Sequence, residues 1–476
     1  MKMLINGEWR DAVSGKVFSV QNPATGDVIE EAPLGGEEDV RSAVEAAEEA
    51  FADWSAKSQR DRAKVLFFAA VEVRHRNTDL AALLTAEQGK PIREAVDEIN
   101  GFANILEYYH ALSASGRGES QTLKGYGRML VRRRPLGICG AIIPWNMPAI
   151  IMGWKIGPAL VAGNTVVLKP ARTAPLTCTR LAEILGGAGL PPGVLNVVTG
   201  PGETVGREIA RHPSIRKVSF TGEVETGKQV ALDAAPALKR VTLELGGSDP
   251  MIVAGDADIG KAVEGVIRGR YYNCGQVCTA VKRLYVDESI ADEFVRRLTA
   301  RVGAIAVGNG MDRGVEMGPL NNRAGLLRVA GLVEDVRERG EGEIVAGGRV
   351  PEGERYERGL FFLPTLITGV PHDSPLFSEE VFGPVLPVAT VSGFDEALAL
   401  ANNSRYGLGA SVWTRNADLI ARATEELEAG IVWVNQHLKI PPEVPFGGTK
   451  ESGIGRENGS RALEEYMEDQ AVLIRL

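Results

Sequence analysis

The residues best suited to chemistry fall in three short stretches. Asn273-Cys274-Gly275-Gln276-Val277-Cys278-Thr279-Ala280 carries two thiols. A thiolate is a strong nucleophile once a neighbouring charge or base has removed its proton, although most free cysteines are small buried apolar groups. As half of a metal site the pair lacks partners. No CxxC and no histidine cluster lies nearby, and the whole chain has five histidines, so no metal is expected. Glu244 stands between leucines in Val241-Thr242-Leu243-Glu244-Leu245-Gly246-Gly247. Desolvation there would raise its pKa towards that of a useful general base; a satisfied buried acid is the plainer alternative. Asn146 is bracketed by prolines in Pro144-Trp145-Asn146-Met147-Pro148. Its amide either donates to a developing oxyanion or merely completes a turn.

The elements that would position these groups have an α/β pattern. Short Val/Ile-rich segments alternate with helical ones: 165–168 then 174–185, 194–198 then 203–210, 217–220 then 225–231. That beat predicts parallel βαβ units, which bind ligands at the carboxyl ends of their strands. The strands run into Lys169-Pro170, Thr199-Gly200-Pro201-Gly202 and Phe220-Thr221-Gly222, where a dinucleotide would lie. Helical patterns precede them at 40–54 and 63–88, followed by a polar stretch at 113–127. A second alternating section runs from Asp249 to about Phe446, and the tail 467–476 reads as one strand in need of a partner sheet, another subunit's included. There is no internal repeat.

At 476 residues the chain exceeds one ordinary core. Its hydrophobic and charged fractions, 44% and 24%, are those of a globular protein. A net charge of -9, with both signs interspersed, excludes a broad nucleic-acid footprint; Arg132-Arg133-Arg134 reads as a solvated strand end. No apolar run reaches the ~18 residues of a membrane span, and the first residues lack the apolar core of a secretory signal. Four cysteines in so long a chain make no disulfide framework and fit a reducing cytoplasm.

Taken together, the motifs resemble the aldehyde dehydrogenase superfamily, in order and over nearly the whole chain. They are the Pro144–Pro148 segment, Leu168-Lys169-Pro170-Ala171, Ser219-Phe220-Thr221-Gly222, Leu243-Glu244-Leu245-Gly246-Gly247, and the cysteine motif. Glu379-Glu380-Val381-Phe382-Gly383-Pro384-Val385, Asn402-Asn403-Ser404-Arg405-Tyr406-Gly407-Leu408 and Pro445-Phe446-Gly447-Gly448-Thr449-Lys450-Glu451-Ser452-Gly453 follow. The resemblance implies a Rossmann-like dinucleotide-binding domain (1–116 and 136–246), a second α/β catalytic domain (247–445) and a small β oligomerisation arm (117–135 and 459–476). It makes Cys278 the nucleophile rather than Cys274, Glu244 the base that activates water, and Asn146 with the Cys278 N–H the oxyanion donors. The reaction implied is oxidation of an aldehyde to an acid through a thiohemiacetal and a thioester. Lys169 joins this catalytic set and also reaches the cofactor ribose. Ile142, Trp145, Gly202, Phe220, Gly222, Glu223, Gly227, Leu245, Glu380 and Phe382 would line the NAD or NADP site.

Two positions depart from the family pattern. Arg172 stands where NAD-preferring relatives often carry Glu, which tilts the expectation slightly towards NADP. Glu223 replaces a small serine and would face the pyrophosphate unless it points away or pairs with Arg172 or Lys228. The positions that line the aldehyde tunnel carry Met147, Ile151, Trp154, Tyr272, Leu438, Ile440 and Phe446, suiting a medium-sized apolar or aromatic aldehyde. His437 and Glu443 could read a polar tail. A homodimer or homotetramer is implied by the arm, since its terminal strand would be an exposed edge in a monomer. The alternatives are a coenzyme A-acylating semialdehyde dehydrogenase, whose members typically lack the Glu244 carboxylate, and a non-catalytic dinucleotide-binding relative.

Overall fold

In the computed structural model, residues 1–115 and 118–475 are described; the expected boundary at 116/117 and the terminal Leu476 lie outside them. The βαβ beat folds into an eight-stranded sheet. Its spatial order is Glu8–Arg10, Met3–Ile5, Leu195–Val197, Thr165–Lys169, Ile138–Ile142, Ile215–Thr221, Arg240–Glu244, Gly453–Ile454. The five central strands are parallel. After Ile138–Ile142 the chain winds first to one side, through Thr165–Lys169 and Leu195–Val197. It then crosses to Ile215–Thr221 on the other side, so the winding reverses between Ile138–Ile142 and Ile215–Thr221. Such a reversal opens a crevice at the carboxyl ends of the strands.

Strand periodicity sorts the side chains. Ile138 and Ile142 pack with Val40, Val44 and Val230 on one face, whereas Cys139, Ala141 and Ile143 pack with Met152, Ile156 and Leu181 on the other. The first face is covered by the helices Glu37–Ala56 and Val224–Ala234, the second by Pro148–Ala162 and Leu176–Gly187. With both faces covered, the strands are apolar throughout, as in Thr165–Lys169, where every residue is buried.

A seven-stranded sheet takes up the second alternating section, in the order Glu343–Ala346, Thr365–Thr368, Val385–Val391, Val281–Asp287, Asp249–Val253, Gly409–Trp413, Ile431–Val434. It is parallel apart from its first pair. The tail strand Met467–Ile474 finds its partner within the same chain, pairing antiparallel along its whole length with Gly127–Pro135. That strand pairs in turn with Glu119–Leu123. Among the described residues no helix is long and apolar enough to cross a membrane.

Candidate active site

Strand register brings the first set of residues together. Ile142 pairs with Lys169 on one side and Phe220 on the other, and Thr221 pairs with Glu244. Four strand ends therefore open on one crevice. A cavity of ≈ 310 Å³ there is lined by Trp145, Asn146, Gly222, Glu223, Glu244, Leu245, Cys278, Glu380 and Phe382, among others. The indole of Trp145 meets the Phe382 ring edge to face, centroids 5.6 Å apart.

Cys278 reaches this cavity from a strained turn. Asn273, Cys274 and Gly275 are all left-handed, with φ of 51°, 56° and 71°. The first two cost of order 1 kcal/mol or more each. Tertiary bonds hold the turn. The Asn273 N–H donates to Glu94 Oε2 at 2.8 Å and its side-chain Nδ2 to the carbonyl of Asn146 at 2.9 Å. Cys274 and the other two cysteines are buried, and Cys278 alone is partly exposed. Burial pushes the Cys278 thiol up to about 12; Lys282 opposes the rise, while Asp249, Glu380 and Glu244 add to it.

The Asn146 amide donates from Nδ2 to the carbonyl of Gln276 at 3.0 Å, and among the described residues its second N–H has no protein acceptor. Its backbone carbonyl is held by buried Lys90 Nζ at 2.8 Å. Lys90 in turn pairs with buried Glu98, which accepts from the Ala149 N–H at 2.8 Å at the start of the helix Pro148–Ala162.

Glu244 is buried, and among the described residues neither carboxylate oxygen has a protein partner. Burial raises its pKa well above the usual carboxylate value. Glu457 adds to the rise, and Lys155 and Arg456 oppose it. Behind it lies a buried ion pair, Lys155 Nζ to Glu457 Oε1 at 2.5 Å, with Ser219 Oγ accepting from Lys155 at 2.9 Å. Sequence reasoning missed Lys90, Glu94, Glu98, Lys155 and Glu457. Only Lys155 carried a local signal, as a single charge in an otherwise apolar helix.

The crevice suits a dinucleotide. Lys169 is buried, and among the described residues its only partner is the carbonyl of Pro170, at 3.3 Å. Burial, reinforced by Arg172 and opposed by Glu203, brings its pKa down to about 8. A buried ammonium with so little to bond fits a ligand hydroxyl. A Cβ on Gly202 would meet no protein atom, whereas one on Gly222 would strike the Phe220 ring and one on Gly227 the Leu245 side chain. Arg172 is exposed and lies over the Phe18 ring at 5.2 Å. Glu223 is the exposed N-cap of the helix Val224–Ala234. Among the described residues neither proposed partner reaches it, because Lys228 pairs with Glu225 and Glu451.

The expected tunnel residues divide. Ile151, Trp154 and Phe446 are buried in one apolar cluster, with Met147, Ile440 and Cys278 packed against it. The Trp154 and Phe446 rings lie 4.7 Å apart. Tyr272 instead lines a separate cavity of ≈ 330 Å³ with Arg93, Glu94, Asp97 and Arg268. Leu438 is half-buried in a left-handed conformation (φ 60°) and is not part of the cluster. His437 turns inward, its Nε2 2.7 Å from the Thr279 carbonyl, and burial brings its pKa down to about 4. It is therefore no cation for a polar tail. Glu443 is exposed.

Residues 9–472 match the model of the aldehyde dehydrogenase family. The chain belongs to that family. Its fold is also that of several solved structures. An E. coli NADP-dependent enzyme is 39% identical, with TM-score 0.97 over 100% of this chain and 98% of that one. An aldehyde dehydrogenase from Brucella melitensis biovar abortus 2308 is 37% identical, with TM-score 0.95 over 99% and 96%. Betaine aldehyde dehydrogenase from Staphylococcus aureus, in complex with NAD+, is 35% identical, with TM-score 0.96 over 99% and 94%. This aldehyde dehydrogenase accordingly oxidises aldehydes.

Proposed function

We propose that the enzyme converts a medium-sized apolar or aromatic aldehyde to the free acid through a covalent adduct on Cys278. The observation that carries this reading is the meeting of Cys278, Asn146 and Glu244 on one cavity with Trp145, Glu380 and Phe382. Cys278 Sγ bonds to the aldehyde carbon, and the oxygen becomes an oxyanion received by the Asn146 amide and the Cys278 N–H. The nicotinamide, when bound, supplies the two-electron acceptor that turns this adduct into a thioester. Lys169, Glu380 and the aromatic pair Trp145/Phe382 hold the dinucleotide. Glu244 takes a proton from water, which adds to the thioester carbon and expels the Cys278 thiolate. The apolar walls formed by Met147, Ile151, Trp154, Ile440 and Phe446 exclude solvent and select the tail.

Arg172 beside Lys169 favours NADP, since two cations suit a 2′-phosphate. Among the described residues, the three-stranded sheet of Glu119–Leu123, Gly127–Pro135 and Met467–Ile474 has no further strand on either edge and exposes Leu473. It serves as an arm joining subunits into a dimer or tetramer. Four free thiols suit a reducing, cytoplasmic setting. The test is Cys278→Ala, assayed with aliphatic, aromatic and semialdehyde substrates. Oxidation is lost, and the wild-type product is free acid with or without coenzyme A. Full activity in the variant, or a thioester product that requires coenzyme A, overturns the reading.

A further inference from the structure

A fully buried ammonium is costly unless every N–H finds an acceptor, and Lys282 is fully buried in the strand Val281–Asp287, directly behind the nucleophile. Its N–H groups donate to the carbonyls of Val277 at 3.0 Å and of Cys278 at 2.6 Å, and Glu380 Oε1 balances its charge as an ion-pair partner 3.4 Å away. The first of these matters for catalysis. The Val277 carbonyl and the Cys278 N–H belong to one planar trans peptide and point in opposite directions. Gripping that carbonyl turns the Cys278 N–H away from Lys282. Among the described residues no backbone or side-chain acceptor takes that N–H, so it is a donor without a protein partner. Gly247 makes the arrangement possible, because a Cβ there would lie 2.8 Å from the Cys278 carbonyl.

We propose that Lys282 is a positioning residue: through the carbonyls of Val277 and Cys278 it aims the Cys278 N–H at the substrate oxyanion, and through Glu380 it ties that donor to the cofactor-holding side of the crevice. The inference rests on Cys278 being the nucleophile. Electrostatics agree with it. Among the main influences on the thiol, Lys282 is the one that favours the thiolate, against burial and the carboxylates of Asp249, Glu380 and Glu244. The same ammonium is the largest charge opposing the burial that pushes Asp249 up to about 7.

The test compares Lys282→Met, Lys282→Arg and Cys278→Ser with the wild type. The measurements are kcat and KM for the aldehyde and the pH dependence of Cys278 alkylation by iodoacetamide. Lys282→Met is expected to lower kcat about 10- to 100-fold, less than outright loss of an oxyanion donor, with KM changed by less than about threefold. Its alkylation profile moves to higher pH by about one unit. Lys282→Arg restores the profile and part of kcat. Wild-type kcat and alkylation in a folded Lys282→Met overturns the proposal, as does a loss shared equally by both Lys282 variants with no movement of the profile. If Lys282→Met does not fold, Lys282→Gln is read by the same two criteria. Activity retained in Cys278→Ser would instead defeat the nucleophile assignment itself, so the two failures are distinct.

Discussion

Replacing Glu244 by glutamine separates the two halves of the reaction. The carboxyl is buried, and among the described residues neither oxygen is committed to a protein donor. The isosteric amide therefore breaks no hydrogen bond and leaves the packing against Gly447 unchanged, where a Cβ would already lie 2.7 Å from Glu244 Oε1. What is lost is proton uptake. General-base assistance contributes about 10²- to 10⁴-fold, or ~3–5 kcal/mol at ~1.4 kcal/mol per factor of ten. Formation of the thioester on Cys278 does not need that proton transfer, but its hydrolysis does. Stopped-flow absorbance should therefore show a burst of reduced nicotinamide approaching one equivalent per active site, followed by turnover slowed by about that factor. Mass spectrometry of the stalled enzyme should find the acyl group on Cys278, and hydroxylamine should release it. Burial and Glu457 raise the pKa of Glu244, so wild-type deacylation should quicken as pH rises through that raised value, and the variant should lose this rise. Wild-type turnover in Glu244→Gln, or loss of the burst together with turnover, would refute the assignment of Glu244 to hydrolysis.

Other perturbations probe the remaining parts. Asn146→Ala removes one oxyanion donor and should lower kcat about 10²- to 10³-fold with little change in dinucleotide KM; an effect confined to KM would assign Asn146 to binding. Arg172→Glu should shift the ratio of kcat/KM for NADP over NAD by about 10- to 100-fold towards NAD, and an unmoved ratio would mean that Arg172 faces only solvent. Burial lifts Glu94 from 4.5 to about 8. The folded protein thus keeps a proton that the unfolded chain releases, and stability falls as pH rises across that window, by up to ~5 kcal/mol. Glu94→Gln keeps an acceptor for the Asn273 N–H and should flatten that fall in urea midpoints compared at about pH 5 and about pH 8; an unchanged slope would clear Glu94 as its cause.

The proposed reactive side chains stood out in the sequence, with prolines around Asn146, leucines around Glu244 and a glycine before Cys278. Each also had a plain structural reading there, and the family resemblance is what assigned their roles and chose Cys278 over Cys274. The strand–helix beat likewise located Lys169, Phe220 and Gly222 at strand ends, since strand periodicity is local. What holds these groups in working geometry comes from far along the chain. Glu94 and Asn273, Lys155 and Glu457, Lys90 and Asn146 are bonded pairs separated by 179, 302 and 56 residues, and nothing in either partner's neighbourhood announces the other. The same gap explains Tyr272. The family resemblance put it on the aldehyde tunnel, whereas in the fold the left-handed run Asn273–Gly275 stands between it and Cys278, and the ring lines a different cavity. The tail strand shows the converse: its pattern told that it needed a sheet, and only the fold shows that Gly127–Pro135 supplies one. Reactivity here follows the same division. A cysteine in this motif is a nucleophile only if something offsets a burial that lifts its pKa to about 12, and the main offsetting charge, Lys282, lies outside the eight-residue cysteine motif, at the start of the next strand. The cysteine's identity is local, whereas its acidity and its oxyanion geometry depend on how that loop is packed against the second sheet.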